Sequence, residues 1–226
     1  MTESQTESTS IDVVFWDFGG VFTPGPFGKA AAAFAADAGL TPHQLEDLVF
    51  GYHTPDGDHP WHKVERGEVP ISEAFAAVTA RLAESNLDFH LQDFFKVMSP
   101  INTSADGPAR ARPEVLQTVV DMRTLGIKNV IITNNVKEFA EGWKSMLDID
   151  LFDHVIDSSV EGVRKPDPAI YQLALDRAGA SDPARTAFLD DFEGNIVGAA
   201  ALGINAIRVA DDPSSALDAL RALVGR

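Results

Sequence analysis

Strand-like and helix-like segments alternate along most of this 226-residue chain, and this order constrains its fold more than any other feature. Short apolar runs alternate with segments that carry apolar residues at helical spacing, which is typical of a parallel sheet covered by helices. The strands predicted from this pattern are 11–16, 129–133, 154–157, 186–189 and 205–209. The helices predicted among them are 113–125, 137–147, 167–178, 193–202 and 214–224. The predicted fold class is therefore α/β, with a parallel sheet.

A long helical stretch follows the first predicted strand and contains no convincing strand of its own. Its helical segments are 31–40, 42–50, 71–84 and 91–98, and a polar loop at 51–60 interrupts them. The strand–helix alternation resumes only after residues 104–113, SADGPARARP. The predicted domain organisation is a disordered tail at 1–10, an α/β core at 11–24 and 109–226, and a helical insertion at 25–108.

Composition excludes several classes of function. The chain has no cysteine, so disulfides, thiolate metal sites and cysteine nucleophiles are excluded, which is compatible with a cytoplasmic protein. No apolar run approaches the roughly 20 residues that cross a bilayer, and the first ten residues lack the features of a signal peptide. With a net charge of -16, the surface should repel nucleic acid and anionic membranes. A small anion could bind only at a local cluster of donors and cations.

Polar and charged residues follow the predicted strands at the edge where such sheets bind ligands. They are Asp17 after the first strand, Thr133, Asn134 and Asn135 after the second, Lys165, Pro166 and Asp167 beyond the third, and Asp190 and Asp191 after the fourth. Clustered carboxylates repel one another, and a hard divalent cation with oxygen ligands, Mg²⁺ above all, would stabilise them. A lysine nearby would steer and neutralise an anionic substrate. Aspartate also caps helices and occurs in turns, and one of these two roles is predicted for Asp157 and Asp167.

Four short motifs resemble, in order and spacing, those of the haloacid dehalogenase superfamily. They are DFGGVFT at 17–23, ITNN at 132–135, KPDPAIY at 165–171 and FLDDFEGN at 188–195. The resemblance covers nearly the whole chain beyond residue 10. It implies a Rossmann-like core, and the helical insertion resembles the first-position cap domain of that superfamily.

Two further stretches resemble particular phosphatase-like branches of the superfamily. ERGEVPISEAF at 65–75 is similar to a stretch shared by α-glucose-1-phosphate phosphatase and the amino-terminal phosphatase domain of soluble epoxide hydrolase. The DFGGV opening resembles the phosphatase-like domain fused to some acyl-CoA dehydrogenases. The implied activity is hydrolysis of a small phosphorylated metabolite with Mg²⁺.

The resemblance implies a nucleophile and a metal site at the first and fourth motifs. Asp17 would attack the substrate and form an aspartyl-phosphate. Asp17 and Asp191 would bind Mg²⁺, with the backbone carbonyl of Gly19 as a further ligand. Asp190 would be a supporting carboxylate or an alternative ligand.

The remaining motif residues are implied to bind the substrate's phosphoryl group. Thr133 and the amide of Asn134 would hold its oxygens, together with the backbone at Gly19 and Gly20. Lys165 would neutralise the group and orient Asp17, and Asn195 would support the lysine and metal ligands. Positioning and charge neutralisation of this kind are what phosphoryl transfer requires.

One position departs from the pattern of the superfamily's phosphatases. They usually have aspartate two residues after the nucleophile, where it protonates the leaving oxygen and later activates water; this chain has Gly19. General acid–base catalysis of this kind contributes roughly 10²–10⁴ in rate. One explanation is a substrate with a good leaving group, such as an anomeric sugar phosphate or an acyl phosphate. Another is an acid supplied by the insertion, for which the candidates are His53, His59, His62 and Glu65.

Different chemistry is a third explanation for Gly19. Haloacid dehalogenases attack carbon with the same strand-end aspartate, lack the second aspartate and need no metal. That explanation gives the pair Asp190 and Asp191 no clear purpose. A catalytically silent, ligand-binding or regulatory protein is a fourth possibility, and the intact set of Asp17, Lys165 and Asp191 argues against it.

Overall fold

The computed structural model describes residues 11–25, 29–52, 59–84, 90–98, 103–104, 107–108 and 111–225. In chain order the strands are β1 (Val13–Trp16), β2 (Thr103–Ser104), β3 (Gly107–Pro108), β4 (Lys128–Thr133), β5 (His154–Asp157), β6 (Thr186–Asp190) and β7 (Asn205–Arg208). Five of them form a parallel sheet in the order β5-β4-β1-β6-β7. The predicted α/β class and its parallel sheet are confirmed.

Strand β1 lies at the centre of the sheet and is buried on both faces. All four of its residues are at most 2% exposed, as expected for a strand with helices above and below. Trp16 at its end is in register with Ile131 of β4 and Leu189 of β6. The residues that follow these three strands therefore emerge at one edge of the sheet.

Eleven helices are described. They are α1 (Lys29–Asp37), α2 (Pro42–Phe50), α3 (Pro60–Glu65), α4 (Ile71–Glu84), α5 (Leu91–Met98), α6 (Pro113–Thr124), α7 (Ala140–Lys144), α8 (Ser158–Glu161), α9 (Pro168–Ala178), α10 (Glu193–Ala200) and α11 (Ser214–Leu223). Helices α2, α4 and α5 have the bounds predicted from the sequence. Asp157 and Asp167 cap α8 and α9, as predicted. None of these helices, within the described part of the chain, is long and apolar enough to span a membrane.

Some local predictions were incomplete. The helix predicted at 137–147 is a 3-10 turn at Lys137–Phe139 followed by the short α7, and Gly142 lowers the helical propensity there. The sequence did not predict helices α3 and α8. It also did not predict the antiparallel pair of β2 and β3, which have two residues each. Segments this short show too little periodicity.

Helices α1 to α5 bury a hydrophobic cluster of their own. Its members come from all five helices, and they include Leu45, Val78 and Phe94, each at most 1% exposed. Val136, which follows β4 closely, is also in this cluster. The helical region therefore packs against the chain next to the carboxyl end of the sheet.

His59 lies in this helical region and gives it a pH-dependent stability. Its ring is 3% exposed and Nδ1 accepts a hydrogen bond from the backbone N–H of Trp61 at the start of α3. Burial lowers the pKa of His59 to about 4. In the unfolded chain the pKa of His59 has its ordinary value near 6.5. The buried neutral ring therefore contributes its full stability above pH 6.5, and this contribution is lost as the pH falls toward 4.

We expect His59→Asn to flatten the pH dependence of stability, because asparagine can keep the helix cap without titrating. Between pH 6.5 and pH 4, the free energy of unfolding of the wild type should fall by up to about 3 kcal/mol more than that of the variant. The measurement is the free energy of unfolding by urea at a series of pH values. His90→Gln, at an exposed histidine, is the matched control. Parallel curves for wild type and His59→Asn would refute the assignment.

Candidate active site

Three carboxylates converge at the carboxyl edge of the sheet. Asp17 follows β1, Asp190 ends β6 and Asp191 comes next, and one oxygen of each lies within 4.8 Å of the others. The backbone N–H of Asp17 donates to the carbonyl of Leu189 at 2.9 Å, so β1 and β6 stay paired up to the site. Asp17 is 8% exposed and Asp190 is fully buried.

Lys165 is the cation inside this cluster, and its side chain is 1% exposed. Its Nζ lies 2.7 Å from Oδ1 of Asp17 and 2.6 Å from Oδ2 of Asp190. The side chain of Asn134 holds the lysine backbone on both sides, donating to its carbonyl at 2.9 Å and accepting from its N–H at 2.8 Å. Asn134, which directly follows β4, thus fixes the position of the Lys165 backbone.

Asp190 and Asp191 differ in their surroundings. The oxygens of Asp190 accept from Lys165, from Nδ2 of Asn195 at 3.0 Å and from the backbone N–H of Phe192 at 2.8 Å. Phe192 directly precedes helix α10, so the last of these bonds connects Asp190 to the start of that helix. Asp191 is partly exposed and lines a cavity. Asp190 therefore supports neighbouring groups, while Asp191 is available to a ligand.

The cluster places three carboxyl groups beside one ammonium. Burial raises the pKa of Asp17 well above its usual range, and Asp190 and Asp191 add to the shift while Lys165 opposes it. Burial, with the charge of Asp190, raises the pKa of Asp191 to about 7. Burial disfavours the ammonium of Lys165, but Asp17 and Asp190 raise its pKa on balance, so it stays charged. One ammonium among three carboxylates leaves a site that favours a further cation.

A cavity of about 190 Å³ opens beside these carboxylates. Its lining residues are Asp17, Gly19, Tyr52, Thr133, Asn134, Lys165, Asp191, Phe192 and Asn195. The fold therefore brings the predicted residues Thr133, Asn134 and Lys165 to one space with Asp17. A small anion in the cavity would contact the lysine, a hydroxyl and the strand-end backbone together.

The two glycines after Phe18 serve different purposes. At Gly19 an added Cβ would meet no atom of the described residues within 4 Å, so in the described part of the chain nothing replaces the aspartate that the resemblance leads one to expect there. Gly20 has a φ of 74°, and a Cβ there would overlap the carboxylate of Asp191. Gly20 is therefore needed for the close approach of Asp191, and it is not among the residues that line the cavity.

Two aromatic side chains complete the cavity, and the sequence did not single them out. Tyr52 follows α2 and Phe192 follows Asp191, and their ring centroids are 5.0 Å apart. Phe192 could have been suspected from its place beside Asp191. No sequence signal marks Tyr52, because its position depends on how the helical region docks.

Of the candidate acids from the insertion, the three that the structure describes, His59, His62 and Glu65, do not line this cavity. His59 and His62 are at most 3% exposed and lie among the helices, where Nε2 of His62 is 2.9 Å from the carbonyl oxygen of Gly51. Glu65 is 3% exposed and paired with Arg164. His53 lies outside the described residues.

Comparisons with known proteins agree with this architecture. The family model for haloacid dehalogenase-like hydrolases matches residues 11–203. The mouse protein "Acyl-CoA dehydrogenase family member 10" is 30% identical over 220 residues, covering 96% of this chain and 19% of its own length. "Sesquiterpene phosphatase astK" of Aspergillus oryzae is 24% identical over 166 residues, covering 73% of this chain and 79% of its own. The chain spans only about a fifth of the mouse protein.

Solved structures share the fold. A dehalogenase crystallised with an intermediate superposes with a TM-score of 0.63 at 19% identity, covering 96% of this chain and 98% of that one. At this identity the similarity shows the fold alone.

Proposed function

The chain belongs to the haloacid dehalogenase-like hydrolases, and on that premise we propose that it hydrolyses a small phosphomonoester with Mg²⁺, with Asp17 as the nucleophile. The observation that carries the proposal is the charge of the site. One oxygen each of Asp17, Asp190 and Asp191 lies within 4.8 Å of the others, and Lys165 pairs with the first two of these residues. A metal-assisted reaction on an anion uses such a site, whereas displacement of halide from carbon does not need the third carboxylate.

The donor set fits Mg²⁺, which prefers a few carboxylates and keeps its other positions for water and substrate oxygens. Asp17 and Asp191 would hold it with the carbonyl of Gly19, while Asp190 keeps its bonds to Lys165 and Asn195. Bound there, the ion would neutralise charge on the phosphoryl group.

The proposed reaction has two displacements at phosphorus. Asp17 attacks the phosphoryl group, the bond to the leaving oxygen breaks, and an aspartyl-phosphate forms; the leaving group departs as its anion and, where its basicity requires, takes a proton from solvent water. A water molecule then attacks the same phosphorus, giving inorganic phosphate and regenerating Asp17. Lys165, Thr133 and the backbone N–H of Asn134 hold the phosphoryl oxygens in both steps.

Gly19 bears on the choice of substrate. No carboxyl group occupies that position, and His59, His62 and Glu65 do not line the cavity. We therefore favour substrates whose leaving group needs little protonation, such as a sugar 1-phosphate or an acyl phosphate. We propose a cytoplasmic setting, since the sequence has no cysteine.

The test is a panel of anomeric, acyl and alkyl phosphates and 2-haloacids, assayed with Mg²⁺ and with a chelator. We expect inorganic phosphate only with Mg²⁺, and faster from the anomeric and acyl phosphates. Equal rates for alkyl phosphates would contradict our explanation of Gly19. Metabolite binding without any turnover would favour a regulatory protein.

Dehalogenation is the second candidate. One observation favours it: the absence of an acid at Gly19. Chloride release from 2-haloacids in the presence of chelator, with no phosphate release, would establish it in place of the first proposal.

Metal binding predicts a separate change in stability. We expect Mg²⁺ to raise the thermal midpoint of the wild type, because a ligand that binds only the folded state stabilises it, by about 2.7 kcal/mol at 100 times its Kd. Asp191→Asn should remove most of this shift. Asp211→Asn, at an exposed aspartate, is the matched control and should keep it. The same shift in Asp191→Asn and wild type would contradict the assigned metal site.

A further inference from the structure

A buried ion pair joins the helical region to the loop that carries Lys165. Nε of Arg164 lies 2.7 Å from Oε2 of Glu65, and both side chains are 4% exposed. Glu65 ends helix α3, and Arg164 is the residue before the active-site lysine. A buried pair is weak evidence of a stabilising role, since desolvation offsets much of its attraction. Its position next to Lys165 suggests another purpose.

Glu65 is itself held from several directions. Its Oε1 accepts from the indole N–H of Trp61 at 3.1 Å. Its backbone carbonyl accepts from Oγ of Ser158 at 2.6 Å, and that oxygen accepts from the backbone N–H of Asn135 at 2.9 Å. The end of α3 is thereby fixed to the residues that follow β4 and β5.

Lys165 is fixed from the opposite side. Asn134 clamps its backbone, while its ammonium bridges Asp17 and Asp190. Two adjacent residues of one loop therefore point to different partners: Arg164 contacts the helical region and Lys165 contacts the nucleophile.

We propose that Glu65 is a positioning residue, which holds Lys165 at Asp17 through Arg164 and so completes the charged site only when α3 is docked. The inference rests on the proposed phosphatase activity. Glu65 and Lys165 belong to separate sequence motifs. In the structure, the guanidinium of Arg164 connects Glu65 to the loop that carries Lys165.

The test separates positioning from stability. Glu65→Gln should lower kcat for phosphate release by roughly 10–100-fold and change KM by less than about threefold. It should also lower the thermal midpoint, because the guanidinium of Arg164 loses the negative charge of Glu65. The double variant Glu65→Leu/Arg164→Met should regain the midpoint, since both charges are removed, but its kcat should stay low. Glu68→Gln, at an exposed carboxylate that pairs with Arg66, is the matched control and should change neither.

A second measurement does not depend on activity. In protein labelled with ¹⁵N-lysine, we expect the Lys165 ammonium signal, assigned through its loss in Lys165→Arg, to shift or broaden in the double variant. Recovery of both kcat and midpoint would show that the pair is only structural and overturn the proposal. If wild type releases no phosphate, the proposed function fails, and the lysine signal alone decides: an unchanged signal overturns the positioning role, and a displaced one supports it.

Discussion

Asp17→Asn should reduce phosphate release by about 10⁴-fold or more, since removing the nucleophile of a covalent mechanism has effects of this size or larger. The amide is nearly isosteric with the carboxylate but cannot attack phosphorus. The measurement is the initial rate of phosphate formation with Mg²⁺ present, on the best substrate of the panel.

The folded state of this variant should survive. Burial and two neighbouring carboxylates disfavour the charge on Asp17, and Lys165 keeps Asp190 as a partner. We therefore expect the thermal midpoint of Asp17→Asn to be at most a few degrees below that of wild type. Asp12→Asn, at the exposed pair with Arg185, controls for the loss of one charge. A rate in Asp17→Asn close to wild type would end the nucleophile assignment.

Lys165→Met should lower both activity and stability. Asp17 and Asp190 would lose the cation that lies 2.7 Å and 2.6 Å from their oxygens. Removing one partner from a buried ion pair costs about 3–5 kcal/mol. The loss of phosphoryl neutralisation should lower kcat by about 10²–10³-fold.

Urea unfolding and initial rates measure the two effects of Lys165→Met. Lys128→Met is the matched control, since Lys128 is exposed, begins β4 at the end away from the site, and donates from its ammonium to the carbonyl of Ala178. The control should change kcat little. A Lys165→Met protein with wild-type stability would show that the two carboxylates do not depend on the lysine.

The edge of the sheet could be predicted from the sequence because its geometry follows from strand order. Parallel strands in register present their carboxyl ends together, so Asp17, Thr133 and Asp190 had to meet once the strands were identified. The register of Trp16 with Leu189 shows the same alignment in the structure. Lys165 lies several residues beyond its strand, and the motif resemblance located it.

The parts of the site that depend on docking could not be predicted. Tyr52 and Glu65 belong to the helical region. Their positions depend on how its helices pack on the core, and no sequence pattern indicates which core elements those helices contact. The contact between Glu65 and Arg164 spans 99 residues along the chain, and no local pattern encodes it. The same reason explains the candidate histidines: His59 and His62 have suitable chemistry, but packing places them among the helices.

Gly19 remains the feature that most constrains the substrate. Within the described part of the chain, an added Cβ at Gly19 would meet nothing within 4 Å, and the residues that line the cavity include no histidine. We therefore expect the leaving group to depart without help from a side chain at position 19, in line with our preference for anomeric and acyl phosphates.

The most direct test of the central claim is to trap the covalent intermediate on Asp17. Borohydride reduces an acyl phosphate to an alcohol and leaves free carboxylates intact, so an aspartyl-phosphate becomes homoserine. Protein quenched with borohydride during turnover of a phosphate ester with Mg²⁺ should contain homoserine at position 17, as mass spectrometry of its peptides would show. Phosphate release without homoserine at 17, or with homoserine at another aspartate, would contradict the account.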